Sequence, residues 1–167
     1  MSRASDARLA NLLGALTTGL ADSVQEATST AAQLDGVAAA AMIALLDFSP
    51  RGSVRTLSQV VGLTHSGTVR LVDRLVNAGY VARRPGPDGR WRSPILTRTG
   101  TMVAKRVRIA RDRTLARPLA NLSDTERATL AGLCERLVSA LTKQRLEQRA
   151  VGFTPAGGAL CRMCDLA

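Results

Sequence analysis

Two cysteines near the end of the chain, Cys161 and Cys164, have the spacing of half a zinc site or of a redox pair. The sequence contains three cysteines and one histidine, so a four-ligand site would need groups from a second subunit or from beyond this chain. We favour the interpretation that the two thiols have no role and predict no metal. Cys161 and Cys164 remain the candidate metal ligands. Cys134 lies on an apolar helical stripe, where we expect a small buried side chain.

The remaining residue types do not form an enzyme active site. The sequence has no Gly-rich phosphate loop, no paired carboxylates with a base, and no nucleophile with a histidine nearby. His65 is the single histidine, so it lacks a partner for catalysis or for metal binding. We predict no enzymatic activity and no cofactor.

Arginine dominates the middle of the chain. The 167 residues carry a net charge of +10, yet residues 1–50 contain two basic and five acidic side chains. Residues 51–98 contain nine arginines against two aspartates, and the rest contains twelve basic and six acidic side chains. Solubility would explain a positive total but not an acidic first third. The distribution favours a phosphate-binding surface in the middle segment.

The first element predicted in this segment is a short helix. Residues Thr56 to Gln59 have the pattern of a capping box, which predicts a helix from Leu57 to Val61 that ends at Gly62. Leu63 is then placed to fill the corner before the next helix.

A second, longer helix is predicted after this corner. Thr64 caps it, and it runs to about Ala78, before Gly79. Its predicted buried face consists of Val69, Val72, Leu75 and Val76. A short helix, a glycine-containing turn and a longer helix are typical of a helix-turn-helix.

Two strands are predicted next, from Tyr80 to Arg84 and from Arg90 to Leu96, around a turn rich in proline and glycine. Pro94 restricts the second strand to a sheet edge, since proline donates no ladder hydrogen bond. The ribbon needs the helices beneath it for stability, and it carries four arginines. They are Arg83, Arg84, Arg90 and Arg92.

These motifs resemble those of the MarR family of transcription regulators. The resemblance rests on Gly62-Leu63-Thr64, on residues 69–75, on Gly79-Tyr80-Val81, and on Asp88-Gly89-Arg90 followed by Leu96-Thr97-Arg98-Thr99-Gly100. It covers residues 6–149, with two helices before the winged helix-turn-helix and two after it. The family's Asp-Arg-Arg is Asp-Gly-Arg here. The tail after residue 149 lies outside the resemblance.

The resemblance implies DNA binding by the second helix and the wing. Arg90 matches the wing arginine that enters the minor groove, and Asp88 matches the aspartate that positions it. Arg74 is expected to tie the recognition helix to the wing more readily than to contact a base. The full set of predicted DNA-binding residues is His65, Ser66, Gly67, Thr68, Arg70, Arg74, Arg84, Arg90 and Arg92.

The flanking segments are predicted to be helical. Aromatic residues make up 2% of the chain, so the core must consist of Leu, Val and Ala, which favours packed helices. We expect helices over residues 6–29, 37–47, 97–116 and 124–149, with Asp35 and Ser123 as caps and Pro118 as a stop. The apolar stripe of the first helix could cover its own domain or a subunit interface equally well.

The predicted fold is therefore mainly α, a winged helix-turn-helix with a two- or three-stranded antiparallel wing and terminal dimerisation helices. Its parts are the N-terminal dimerisation helix (6–34), the DNA-binding domain (35–100), the C-terminal dimerisation helices (101–149) and a flexible CxxC tail (150–167).

The predicted function is that of a homodimeric transcription regulator, a repressor that binds a palindromic operator in double-stranded DNA. The resemblance implies release by a small aromatic or anionic effector, held between the first two helices and the helix after the wing, with Arg111 or Arg113 as anion contacts. One alternative is a redox or metal sensor that uses Cys161 and Cys164. Another is a protein-interaction winged helix that binds no DNA.

The sequence shows no membrane-spanning run and no signal peptide, so we expect a cytoplasmic protein that is associated with the nucleoid through DNA.

Overall fold

The structure is a computed structural model that describes residues 3–48, 52–85, 92–153, 158–160 and 162–163. The described part contains six α-helices and a two-stranded antiparallel sheet, which confirms the predicted fold class. The helices before the sheet are α1 (Arg3–Ala32), α2 (Gly36–Ile43, continued by a π-helical turn Ala44–Phe48), α3 (Val54–Val61) and α4 (His65–Asn77). The strands are β1 (Val81–Pro85) and β2 (Arg92–Leu96), followed by α5 (Arg98–Leu119) and α6 (Asp124–Ala150).

Helix α2 lies at the centre of the core, as its nearly continuous apolar sequence predicts. Residues 38–43 are all buried, and α2 contacts α1, α3 and α5. Asp35 caps the helix as predicted, because its Oδ1 accepts a hydrogen bond from the Ala38 amide at 2.8 Å. The π-helical turn that continues α2 was not predicted.

Helix α3 begins three residues earlier than expected. Ser53 is the cap, and its hydroxyl accepts a hydrogen bond from the Thr56 amide at 3.1 Å. The prediction that Thr56 caps this helix was therefore wrong. Ser53 and Thr56 are both good capping residues at a three-residue interval, so the local pattern allowed either choice.

The ends of α3 and α4 match the predictions. Gly62 ends α3 in the left-handed conformation with φ of 73°, and Gly79 follows α4 with φ of 72°. Thr64 caps α4, since its hydroxyl accepts from the Gly67 amide at 3.1 Å. The buried face differs in part. It consists of Thr68, Leu71, Val72 and Leu75, whereas Val69 and Val76 are half-buried.

The two strands pair antiparallel, with Val81 opposite Leu96 and Arg83 opposite Pro94. Pro94 is buried and lies in a strand with one neighbour, as a proline requires. The base of the sheet is held by Thr97, which caps α5 and also donates its hydroxyl to the Gly79 carbonyl at 2.8 Å.

Gly100 explains why a glycine is needed at the start of α5. A Cβ at this position would lie 1.9 Å from the Tyr80 carbonyl oxygen. The Tyr80 carbonyl in turn accepts a hydrogen bond from the Thr97 amide at 2.9 Å. The close approach of two backbones thus joins the wing to α5. Helix α5 ends at Leu119, three residues after the predicted end at residue 116, and Pro118, the predicted stop, lies within its last turn.

Helix α6 has a complete capping box between Ser123 and Glu126, as predicted. The Ser123 hydroxyl and amide lower the pKa of the Glu126 carboxyl. No residue of α6 is buried in this single chain. Cys134 is exposed, so the expectation of a buried thiol is wrong for one chain alone.

Some residues of the tail, which was expected to be flexible over 150–167, contact the rest of the chain. Gly158 is buried, and the Ala159 amide donates to the Val60 carbonyl at 2.9 Å. Met163 packs on the hydrophobic core.

None of the described helices has, by itself, the length and apolar character to cross a bilayer. Residues 4–32 and 36–48 meet these two criteria only when taken together across a 76° bend.

Candidate nucleic-acid interface

The first turn of α4 forms the centre of the site. His65 and Ser66 are exposed, and the side chain of Thr64 satisfies the Gly67 amide. The start of a helix leaves backbone N–H groups without helical partners and carries a partial positive charge, so it favours a phosphate. A Cβ on Gly67 would lie 3.1 Å from the Thr64 Oγ1, which leaves little space for a larger side chain.

Thr68 does not belong to this exposed surface, although the sequence placed it there. It is buried, and its hydroxyl donates to the Thr64 carbonyl at 2.9 Å. The prediction that its side chain faces outward was wrong. The hydroxyl of a threonine can form a hydrogen bond within the helix while its methyl group packs in the core. The polarity of Thr68 therefore did not indicate which way its side chain points.

Arg70 and Arg74 have different surroundings. Arg70 is exposed on α4. Arg74 donates from Nη1 to the Oδ2 of Asp35 at 2.6 Å, which joins α4 to the start of α2. The expectation that Arg74 ties the recognition helix to the wing was therefore wrong.

The carboxyl group of Asp35 serves two elements at once. Partial burial pushes its pKa upward. The hydrogen bonds from Arg74 and from the Ala38 amide, together with the charge of Arg74, outweigh burial and hold the pKa below its usual value. The charged form of Asp35 is thus the form that the folded state prefers.

The tie between α4 and the wing is made by another pair. Arg83 on β1 donates from Nη2 to the Oδ1 of Asp73 on α4 at 2.5 Å. Arg84 is exposed one residue further along β1. Neither the pairing of Asp73 with Arg83 nor that of Asp35 with Arg74 was predicted. Their partners are ten and 39 residues away in the chain, so no local pattern could identify them.

The remaining predicted residues of the wing are Arg92, Asp88 and Arg90. Arg92 begins β2, opposite Pro85. Asp88 and Arg90 lie outside the described residues. The described part of the site thus brings together the exposed start of α4, Arg70 and the arginine-bearing base of the wing.

A crevice of about 540 Å³ lies behind this surface. It is bounded by α1, the start of α2, the corner between α3 and α4, and the tail. Its walls include Val24, Thr28, Val37, Leu63 and Met163. An adjoining cavity of about 250 Å³ extends to Arg111 on α5. No aromatic side chain lines either cavity in the part of the chain that is described.

Metal ligands do not cluster in residues 3–48, 52–85, 92–153, 158–160 and 162–163, where no group of three His, Cys, Asp or Glu side chains could hold an ion. Cys161 and Cys164 lie outside these residues.

Comparisons with known proteins agree with this architecture. Residues 33–90 match the sequence model of the MarR family. A MarR family protein from Bacillus stearothermophilus matches with a TM-score of 0.73 at 27% identity, over 85% of this chain and 99% of that chain. A search of curated proteins finds no significant match.

Two further solved structures show the same fold in complex with small molecules. CouR from Rhodococcus jostii RHA1, bound to p-coumaroyl-CoA, matches with a TM-score of 0.63 at 20% identity, over 81% of this chain and 95% of that chain. The MarR family protein Rv2887 from Mycobacterium tuberculosis, in complex with p-aminosalicylic acid, matches with a TM-score of 0.53 at 25% identity, over 75% of this chain and 97% of that chain.

The helix order, the two-stranded wing and these matches lead to one conclusion. The chain has the winged-helix fold of the MarR family of transcription regulators, and its residues 33–90 are similar to that family in sequence.

Proposed function

We propose that this chain is a sequence-specific transcription regulator that acts as a homodimer and represses by binding a palindromic operator in double-stranded DNA. Such a protein acts in the cytoplasm, at the nucleoid. The observation that carries the proposal is the exposed start of α4 beside a wing base rich in arginine. A helix of this kind fits the major groove, and a positive ribbon beside it fits the phosphates or the minor groove.

The residues divide into base contacts and phosphate contacts. His65, Ser66 and Arg70 are exposed on α4, where they can meet base edges, and the positive start of the helix can approach a phosphate. In the wing, Arg84, Arg90 and Arg92 supply positive charge, with Asp88 as the residue that positions Arg90. Arg74 contributes less to DNA binding, because Asp35 already holds it.

Selection of bound sites from random DNA, followed by mobility-shift titrations at several salt concentrations, tests the proposal. We expect Arg70→Ala and Arg90→Ala each to weaken specific binding by about 5- to 100-fold, and loss of a phosphate contact to reduce the salt dependence. Arg74→Ala should weaken it less than Arg70→Ala. Lys143→Ala, on the exposed surface of α6, is the control.

The same titrations can contradict the proposal. Unchanged binding after Arg90→Ala would remove the wing from the interface. If the wild-type protein binds no DNA even at low salt, the alternative of a winged helix that only contacts proteins would replace the proposed function.

Dimerisation is supported by two uncovered apolar surfaces. On α1, Leu9, Leu12 and Leu16 are at least half exposed, and on α6 the same holds for Leu137 and Leu146. A soluble monomer rarely exposes apolar residues at such regular spacing. A second copy that covers both helices would also place two recognition helices at a fixed separation, as a palindromic site requires.

An effector is proposed to bind the crevice between α1 and the winged-helix domain. Its volume and mixed walls suit a small organic molecule. CouR and Rv2887 hold p-coumaroyl-CoA and p-aminosalicylic acid respectively. Arg162, which lines both cavities, and Arg111, which lines the adjoining one, favour an anionic group, whereas the lack of aromatic walls among the described residues does not favour stacking.

Release of the operator by aryl carboxylates tests this effector site. We expect Val24→Trp, which fills the crevice from α1, to abolish release without loss of DNA binding. Asp22→Trp places the same side chain at an exposed position of α1 that lines no described cavity. Equal release in both variants would exclude the crevice as the effector site.

A thiol-dependent response is the second candidate function. Residues on both sides of Cys161 contact the winged-helix domain or line the crevice, which supports a link between the tail and DNA binding. A two-electron oxidant would convert the thiols of Cys161 and Cys164 into a disulfide with loss of two protons. Equal DNA affinity of the reduced and oxidised protein, with no bound zinc, would exclude this response.

A further inference from the structure

The segment that follows α6 lies against the corner between α3 and α4. We call residues 158–160 and 162–163 the C-terminal segment. The Ala159 amide donates to the Val60 carbonyl at 2.9 Å, and Arg145 on α6 donates from Nη1 to the Gly158 carbonyl at 2.5 Å. The segment therefore joins the end of α6 to the end of α3 by hydrogen bonds to backbone atoms.

Gly158 fits this corner too closely for any other residue. Its φ is +70°, and a Cβ would lie 2.2 Å from the Val60 carbonyl oxygen and 2.5 Å from the Gly62 amide nitrogen. These are rigid backbone atoms at the end of a helix, so a side chain at residue 158 would force the segment away. Gly152 has a similar φ of +83° but open space around its Cβ position.

The side chains of the segment extend the attachment towards α1. Met163 packs on the core and lines the crevice with Val24 and Thr28, and Leu160 lines the adjoining cavity. Arg162 is half-buried, and its Nη1 donates to the Ala159 carbonyl at 3.1 Å, which closes the segment into a turn. Burial, and then the charge of Arg145, lowers the pKa of Arg162.

The contacts of the attachment that lie within the described residues include no ion pair. Within the described residues no carboxylate pairs with Arg162, and the like charge of Arg145 acts on it. The described contacts that hold the segment are thus the close fit of the backbone at Gly158, hydrogen bonds and the partial burial of Met163. Such contacts hold the segment at one position on the corner. The electrostatic attraction of a basic tail, in contrast, would not fix its position.

The corner to which the C-terminal segment is attached leads directly into α4. Gly62 and Leu63 lead directly into Thr64, the cap of α4. His65 and Ser66 remain exposed, so the segment leaves the proposed DNA-binding surface uncovered. An element that fixes the corner without covering the surface can orient α4 but cannot block it.

We propose that the C-terminal segment positions the recognition helix, with Gly158, Ala159 and Arg145 as positioning residues that tie α6 to the corner before α4. The proposal rests on the proposed DNA-binding function and adds to it a direct link between a helix of the proposed dimer interface and the DNA-binding helix. Preorganisation of this kind improves binding because less freedom is lost in the complex.

Hydrogen exchange and DNA titration of full-length variants test the proposal. In the wild type we expect slow exchange at the Ala159 amide. Gly158→Ala should accelerate it and weaken operator binding by about 3- to 10-fold, with the dimer unchanged. Gly152→Ala introduces the same side chain at a similar φ, and its affinity should stay within about twofold of the wild type.

A second pair of variants leaves the corner itself untouched. Arg145→Met removes the donor to the Gly158 carbonyl, whereas Arg145→Lys retains a cationic donor. We expect Arg145→Met to weaken operator binding and Arg145→Lys to restore most of it. A role of Arg145 in stability alone would change the melting temperature without this difference in affinity.

Three results would overturn the positioning role. They are fast exchange at Ala159 in the wild type, equal affinities of Gly158→Ala and Gly152→Ala, and tighter binding by Gly158→Ala. Failure of the proposed function is distinguishable, since the wild type would then bind no DNA at all.

Discussion

The winged-helix domain, residues 35–100, and helix α6 have similar apolar periodicity but differ in what covers it. In the domain, Leu71 and Leu75 are 2% and 0% exposed, because α3 packs against both α2 and α4 and the buried residues of these helices form one core. In α6, Leu133 and Leu137 are 48% and 50% exposed. An apolar stripe thus predicts that a helical face will be covered, while the identity of the covering surface depends on the rest of the assembly.

The polar contacts of the two regions differ in the same way. In the domain, the Arg74–Asp35 and Arg83–Asp73 pairs each join two separate elements. In α6, the capping box joins Ser123 to a residue of the same helix. The domain is stabilised by contacts between elements, whereas α6 has mainly local contacts within one chain. Three predictions test this difference.

The largest effect is expected from a methyl group at Gly100. We expect Gly100→Ala to lower the free energy of unfolding by about 3 kcal/mol or more, because its Cβ would overlap the Tyr80 carbonyl oxygen. Gly132→Ala in α6 meets no atom within 4 Å and should instead raise helix stability by about 0.5–1 kcal/mol. Urea unfolding measures both. Equal effects would show that the two helices are equally constrained.

The next effect concerns the uncovered stripe of α6. We expect Leu137→Asp to raise the dissociation constant of the dimer at least about tenfold while the helix content is retained, because a buried carboxylate at an interface lacks a partner. Ser139→Asp places the same residue on the opposite side of α6 and should leave the dimer intact. Sedimentation measures both states. A monomeric wild type would refute the assignment of α6 to an interface.

The smallest effect concerns the two contacts of Asp35. Asp35→Ala removes the cap and the Arg74 pair and should cost about 1 kcal/mol at neutral pH. Because the folded state lowers the pKa of Asp35, its charge contributes fully above the ordinary aspartate value of 3.8. That contribution is lost as the pH falls through the lower pKa of the folded state.

Urea unfolding of the wild type and of Asp35→Asn at pH 7 and near pH 3 measures this dependence. The difference between them should shrink in acid, because neither the protonated carboxyl group of Asp35 nor the amide of the variant carries a charge to pair with Arg74. Asp22→Asn on the exposed side of α1 is the control. A difference that grows in acid would contradict the assigned sign.

The sequence by itself determined the features that depend on neighbours a few residues apart. The caps at Asp35, Thr64 and Ser123, the glycine after α3, and the two-stranded wing all follow from short patterns with fixed spacing. The family resemblance identified Gly100 but did not explain why a glycine is needed there. These local rules also established the fold class.

The tertiary structure decided what depends on residues that are distant in sequence. It placed Thr68 in the core, paired Arg74 with Asp35, left Cys134 exposed, and laid Gly158 against Val60. In each case the side chain or backbone atom had several acceptable local surroundings. Long-range packing selected one of them, and no spacing in the sequence encodes that choice.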